Sequence, residues 1–82
     1  MPMEDRMIAM HARHAIARTP ADISELIISC NRGSIELCGK LKKPRGYAGE
    51  MNLRKELDII KEQIRHVHGV KDLVADRLTI LD

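Results

Sequence analysis

A dense cluster of cations lies in the middle of the chain, within six positions and with no acidic residue among them: Lys40, Lys42, Lys43 and Arg45. Tyr47, the only tyrosine, follows in a glycine-rich stretch. A flexible loop with several cations and an aromatic tip can bind anionic head groups, because each cation near such a surface adds a favourable Coulombic contribution. We predict that these five residues bind an anionic partner. The alternative is a solvated loop that only keeps the surface soluble.

The same stretch, residues 46–49, also matches the Gly-x-x-Gly loop with which KH domains clamp single-stranded nucleic acid. A KH loop joins two helices, whereas a predicted strand precedes this one, and the chain has no other aromatic residue to stack on bases. A net charge of +2 does not demand nucleic acid either. A KH-like binder is therefore the second alternative, and we do not expect nucleic acid as the partner.

Four histidines are the candidate metal ligands. His11 and His14 fall in one predicted helix and His66 and His68 at the end of another, and no cysteine or carboxylate pattern completes a site around them. The sequence also has no Ser/His/Asp set, phosphate-binding loop or paired carboxylates with a pocket around them. We expect no metal, no cofactor, no catalytic residue and no enzyme activity.

The two cysteines, Cys30 and Cys38, point to opposite faces of a predicted hairpin, so we expect free thiols in a reducing compartment. The chain has no apolar stretch near the roughly 20 residues of a membrane span, and its start lacks the layout of a signal peptide. We expect a cytoplasmic protein if the chain is full length; for an excised domain the compartment is open.

The basic cluster follows a predicted β-hairpin, whose strands cover residues 23–30 and 34–42. With Arg32 and Gly33 as the turn, the predicted pairs are Cys30 with Ile35, Ile28 with Leu37, and Leu26 with Gly39. All apolar side chains among these residues then share one face. The other face has a mixed character and carries Ile27, Ser29, Glu36 and Cys38.

Two helices and a third strand complete the prediction. The first helix covers residues 4–18 and has a soft apolar side, which we expect to pack on the sheet: Met3, Met7, Ile8, Met10, Ala12 and Ala15. The alternative is a helix that binds a membrane surface or a partner. The second covers residues 52–68, with Asn52 as N-cap and Gly69 as a left-handed C-terminal cap. Residues 72–81 form a strand whose mixed pattern indicates a bulge, with Val74, Leu78 and Ile80 on one face.

This order predicts an α+β fold for one domain, residues 1–82: a two-layer αββαβ sandwich with two helices on one face of a three-stranded mixed sheet. The third strand should run parallel to the second. Because the chain has neither Phe nor Trp, its core must be aliphatic and its stability modest. Oligomerisation would supply additional burial.

The motifs resemble those of a known family. Residues 33–41 read Gly-x-Ile-x-Leu-x-Gly-x-Leu, and residues 67–73, after the second helix, read Val-x-Gly-Val-x-x-Leu. This is similar to the BON domain, a small bacterial module named for an osmotic-stress protein and nodulation proteins, which has the same αββαβ order. The resemblance gives Gly33, Gly39 and Gly69 structural roles and implies a non-catalytic binding module. Members are associated with phospholipid surfaces, with envelope or secretion assemblies and, in some cytoplasmic cases, with small ions.

We therefore expect a BON-like, non-catalytic module that contacts an anionic partner, such as a phospholipid surface or a protein assembly. The alternative is a self-assembling scaffold or ring-building module, a homo-oligomer in which an exposed sheet edge or the methionine-rich helix pairs with another copy.

Overall fold

The chain folds into two helices and a three-stranded sheet in the predicted order, and the computed structural model describes residues 4–47 and 49–81. The elements are α1 (Asp5–Ala15), β1 (Leu26–Asn31), β2 (Ser34–Lys42), α2 (Leu53–Arg65) and β3 (Asp72–Leu81). The sheet order is β1-β2-β3, with β1 antiparallel and β3 parallel to β2. The predicted α+β fold with a mixed sheet is confirmed. Within the described ranges no helix is long and apolar enough to span a membrane.

The hairpin has the predicted register, in which Cys30 pairs with Ile35 and Ile28 with Leu37. Its two-residue turn consists of Arg32 at φ 54° and Gly33 at φ 85°. Positive φ at both positions is the mark of the type I′ turn, whose twist matches that of the flanking strands. The turn therefore fixes which side chains of β1 and β2 face the helices.

The core is a single aliphatic cluster between the helices and one face of the sheet. Its buried members are Ile8, Ala12, Ile16, Ala21, Leu26, Ile35, Leu37, Leu41, Leu53, Ile60 and Ile64. Burial of each large side chain contributes about 1.5–3 kcal/mol of hydrophobic free energy. The opposite side of the sheet, called the open face below, has no second layer among the described residues.

The expected packing of the methionine side of α1 needs correction. Met7 and Met10 are 42% and 43% exposed, whereas Ile8 and Ala12 are buried. The apolar side of α1 covers too wide an angle for all of it to contact the sheet. Its branched and small residues, Ile8 and Ala12, therefore occupy the centre of the contact. Met3, the third methionine, lies outside the described residues.

The predicted helices and first strand are longer than the observed ones. After Ala15 the backbone tightens into i→i−3 turns, with the N–H of Ile16 bonded to the carbonyl of Arg13 at 3.3 Å. The second helix ends at Arg65 instead of residue 68, and His66 is its C-cap. Gly69, at φ 94°, turns the chain towards β3 and does not cap α2 directly. Residues 23–25, predicted as strand, form a turn before Leu26.

The bulge predicted in β3 is present, but it divides the strand differently. Glu36 pairs with Val74 and Cys38 with Arg77, so β3 has one residue more than β2 in this interval. The extra residue resets the alternation of side chains. As a result Leu73 and Ala75, and then Leu78 and Ile80, all pack against the core, and Val74 does not.

Candidate functional site

The predicted cationic cluster divides between the sheet and the loop after it. Lys40 and Lys42 belong to β2, where they alternate with the buried Leu41 and so lie on the open face. Lys43 and Arg45 belong to the connection between β2 and α2, residues 43–51, which we call the basic loop. The two groups have different surroundings.

Lys42 is held by two carboxylates of the preceding turn. Its Nζ lies 2.5 Å from Glu25 Oε2 and 4.0 Å from Asp22 Oδ2. The hydrogen bond to Glu25 raises the pKa of Lys42, and the same bond lowers the pKa of Glu25. The backbone N–H of Asp22 also donates to the Lys42 carbonyl at 2.8 Å. Lys42 therefore ties the end of β2 to residues 22–25, and its charge is largely compensated within the chain.

The tip of the basic loop is a β-turn that exposes Arg45 and Tyr47. The N–H of Tyr47 donates to the Pro44 carbonyl at 3.1 Å. Gly46 has φ 78°, and positive φ at this third position is the feature of a type II turn. The Tyr47 side chain is 46% exposed, and its hydroxyl donates to the Glu50 carbonyl at 3.5 Å. The turn therefore leaves both Arg45 and Tyr47 exposed to solvent.

The loop cations contrast with Lys42 in their ion pairing. In the part of the chain that the structure describes, no carboxylate comes within 4.0 Å of the charged groups of Lys43 or Arg45. Lys40 is exposed on the open face opposite Thr79, and its charge helps to lower the pKa of Glu25. Four of the five predicted residues are thus accessible, at least in part, and one is committed to the fold.

The N-terminus of α2 adds cations that sequence reasoning did not include. Arg54 and Lys55 are exposed in the first turn of the helix, directly after the basic loop. Asn52 caps this turn by accepting a hydrogen bond from the Lys55 N–H at 3.2 Å, as predicted. Cations are disfavoured at a helix N-terminus because they face the positive end of the helix dipole. In the sequence, only the position of Arg54 and Lys55 shortly after Pro44 and Glu50 pointed to these two cations.

Two of the predicted structural glycines permit close backbone contacts. A Cβ on Gly39 would lie 2.2 Å from the Glu25 carbonyl oxygen, and the residue has φ 84°. A Cβ on Gly33 would lie 2.9 Å from the Gly69 carbonyl oxygen. Since side chains essentially never approach the backbone so closely, both positions require glycine for packing as well as for conformation.

Asp5 has a structural role that sequence reasoning missed. Its carboxylate accepts hydrogen bonds from the N–H groups of Arg32 at 2.9 Å and Gly33 at 3.1 Å, and from the Cys30 thiol at 3.4 Å. The bond from the Arg32 N–H is the largest cause of a lowered pKa at Asp5. The sequence indicated only an acid at a helix N-terminus, because nothing local links Asp5 to a turn 27 residues away.

The cysteines are both free. Burial is the main reason why the pKa of Cys30 is raised. The pKa of Cys38 is raised chiefly by its hydrogen bond to Glu36, at 3.2 Å. A raised pKa reduces the thiolate fraction at neutral pH and with it the nucleophilicity of both residues.

His66 lies at the C-terminal end of α2, and the basic loop precedes the other end of this helix. His66 Nε2 is 3.1 Å from Glu62 Oε1 one turn earlier in α2, and both side chains are exposed. Within residues 4–47 and 49–81 no group of three or more His, Cys, Asp or Glu side chains is placed to hold a metal ion. A shallow cavity of about 220 Å³ lies at this end of the molecule, lined by Arg65, Val70, Lys71, Asp72 and Leu73.

Neither a scan against protein-family models nor a search of curated proteins finds a match to this sequence.

Proposed function

We propose that this chain is a non-catalytic, BON-like binding module whose basic loop contacts an anionic partner, with a phospholipid surface as the first candidate. The observation that carries the proposal is the exposed turn with Arg45 and Tyr47, next to Lys43, without an acidic partner among the described residues. The loop residues are accessible to a partner, and Lys42 stabilises their attachment to the sheet.

The charges near the loop favour an anionic surface. A cation close to an anionic membrane contributes about 1 kcal/mol of binding free energy, so Lys43 and Arg45 together contribute about 2 kcal/mol. Tyr47 suits the interface because a phenol has an apolar ring and a polar hydroxyl. Arg54 and Lys55 add two exposed cations in the first turn of α2, which also contains Glu56.

The non-catalytic part of the proposal rests on the surroundings of the reactive groups. Both thiols have raised pKa values, and the sequence of the basic loop contains no histidine, cysteine, serine or threonine. A cytoplasmic location also belongs to the proposal, since Cys30 and Cys38 remain free thiols on opposite faces of the sheet.

Vesicle binding tests the proposal. Cosedimentation is measured with phosphatidylcholine vesicles, with and without phosphatidylserine, at low and moderate salt. We expect binding only to the anionic vesicles and a loss of binding with salt, because exposed charges are screened. The double variant Lys43→Glu/Arg45→Glu should lose at least about thirtyfold in affinity.

The matched control is Arg65→Glu/Lys71→Glu, which makes the same change in net charge at the opposite end of the molecule. It should bind like the wild type. Equal losses in both variants would mean that only net charge matters and would contradict a specific loop surface. If the wild-type chain does not bind anionic vesicles at low salt, a lipid partner is excluded and an acidic protein surface is favoured.

A further inference from the structure

The outer edge of β3 is unpaired in the described part of the chain. The sheet order β1-β2-β3 leaves this ten-residue strand with a neighbour on one side only. A long edge strand offers a row of free N–H and C=O groups to any other strand, and proteins usually cover or interrupt such edges. The residues along this edge therefore indicate which strand it can accept.

The side chains of β3 have a symmetrical arrangement about the bulge. On one side of the pair Asp76 and Arg77, Leu73 and Ala75 pack against the core; on the other side, Leu78 and Ile80 do. The bulge breaks the strict alternation so that the pattern reads the same from both ends of the strand. At its centre lie two exposed residues of opposite charge, Asp76 and Arg77.

We propose that β3 pairs with β3 of a second copy of this chain, antiparallel and about a two-fold axis between Asp76 and Arg77. The two sheets then join into one sheet of six strands. An interface of this kind is isologous, so each contact occurs twice. Asp76 lies opposite the partner's Arg77, and Arg77 opposite the partner's Asp76.

This register satisfies both faces of the joined sheet. Residues directly opposite each other in an antiparallel pair have their side chains on the same face. Here Leu73 meets the partner's Ile80 and Ala75 meets the partner's Leu78, so the helix-covered layer continues across the interface. Val74 meets the partner's Thr79 on the open face. A slip by one residue would place core side chains opposite open-face ones along most of the strand.

The bulge makes this register possible. In a strand with strict alternation, a pair of adjacent residues cannot lie on the two-fold axis without mixing the two faces, because neighbours point to opposite sides. The extra residue between Val74 and Arg77 removes the conflict. The competing explanation is that the bulge and the charges of Asp76 and Arg77 protect the edge from pairing. The two explanations predict opposite oligomeric states.

Charge reversal with rescue distinguishes them. The mass of the intact chain is measured by light scattering and sedimentation equilibrium over a dilution series, with reductant present to exclude disulfide-linked dimers. We expect a dimer for the wild type. Each single variant, Asp76→Arg or Arg77→Asp, places like charges opposite each other twice and should weaken the dimer about tenfold. The double variant Asp76→Arg/Arg77→Asp should restore it.

Arg54→Asp is the control, because it makes the same charge change as Arg77→Asp at an exposed residue away from β3. It should leave the dimer unchanged, and circular dichroism verifies that every variant is folded. A monomeric wild type, or a double variant no stronger than the single ones, would overturn the proposal. This inference does not depend on the anionic partner, since it uses the residues of β3 and none of the basic loop.

Discussion

The two ends of the sheet use their charged groups differently. At the hairpin turn, the Asp5 carboxylate is occupied by the N–H groups of Arg32 and Gly33. At the other end, Lys42 is similarly occupied by Glu25, but Arg45, three residues further on, has no such partner among the described residues. A charge whose hydrogen bonds are satisfied inside the chain stabilises the fold, whereas an exposed unpaired one is available for binding.

The largest expected effect comes from Gly39, which lets β2 approach the turn that supplies Glu25. Gly39→Ala introduces a Cβ where only 2.2 Å separates it from a carbonyl oxygen, at a residue with φ 84°. We expect a loss of at least about 2 kcal/mol in the free energy of unfolding, from backbone strain and steric overlap together. Urea denaturation measures this loss. A change below about 0.5 kcal/mol would show that the close approach is not required.

The next effect concerns Asp5. Its pKa is lower in the folded chain than in the unfolded chain, because the Arg32 N–H stabilises the carboxylate. Its contribution to stability is therefore present above the ordinary pKa of an aspartate and is lost as the pH falls through the lower folded value. Asp5→Asn should lower the melting temperature at neutral pH and reduce the loss of stability on acidification.

Thermal melts between neutral and acidic pH measure both changes. Glu4→Gln is the control, because the neighbouring Glu4 side chain makes no capping hydrogen bond. If the Asp5 and Glu4 variants respond alike to pH, the turn contacts of Asp5 do not stabilise the fold.

A smaller effect is expected at Lys42. Lys42→Gln removes the ion pair with Glu25 but keeps the backbone bonds to Asp22. Because all of these groups are partly solvated, we expect only a slight decrease in melting temperature, and the decrease should diminish at high salt. Lys43→Gln, which breaks no ion pair among the described residues, should leave the melting temperature unchanged. A larger decrease in melting temperature for Lys43→Gln than for Lys42→Gln would contradict this expectation, because Lys43 would then be the lysine that stabilises the fold.

Patterns local in the sequence predicted the hairpin well. Alternation on both sides of Arg32 and Gly33 specified the register, because a one-residue slip would have turned every apolar side chain outwards. The mixed pattern of β3 also predicted a bulge. It did not predict the position of the bulge, because that position follows from the pairing with β2 on either side of Leu37.

Long-range polar contacts were not predictable. Lys42 and Arg45 belong to one run of cations in the sequence, and only the fold brings Glu25 and Asp22 to the first of them. The bonds from the hairpin turn to Asp5 are of the same kind. Sequence patterns therefore identified the cationic cluster but did not divide it into structural and available members.

The most direct test of this division compares two variants with the same change in charge in one vesicle-binding experiment. Lys42→Gln and Arg45→Gln each remove one positive charge, three residues apart, and both are titrated against phosphatidylserine-containing vesicles at low salt. We expect Arg45→Gln to weaken binding about fivefold and Lys42→Gln to leave it unchanged. Equal weakening by both variants, or a greater loss for Lys42→Gln, would contradict it.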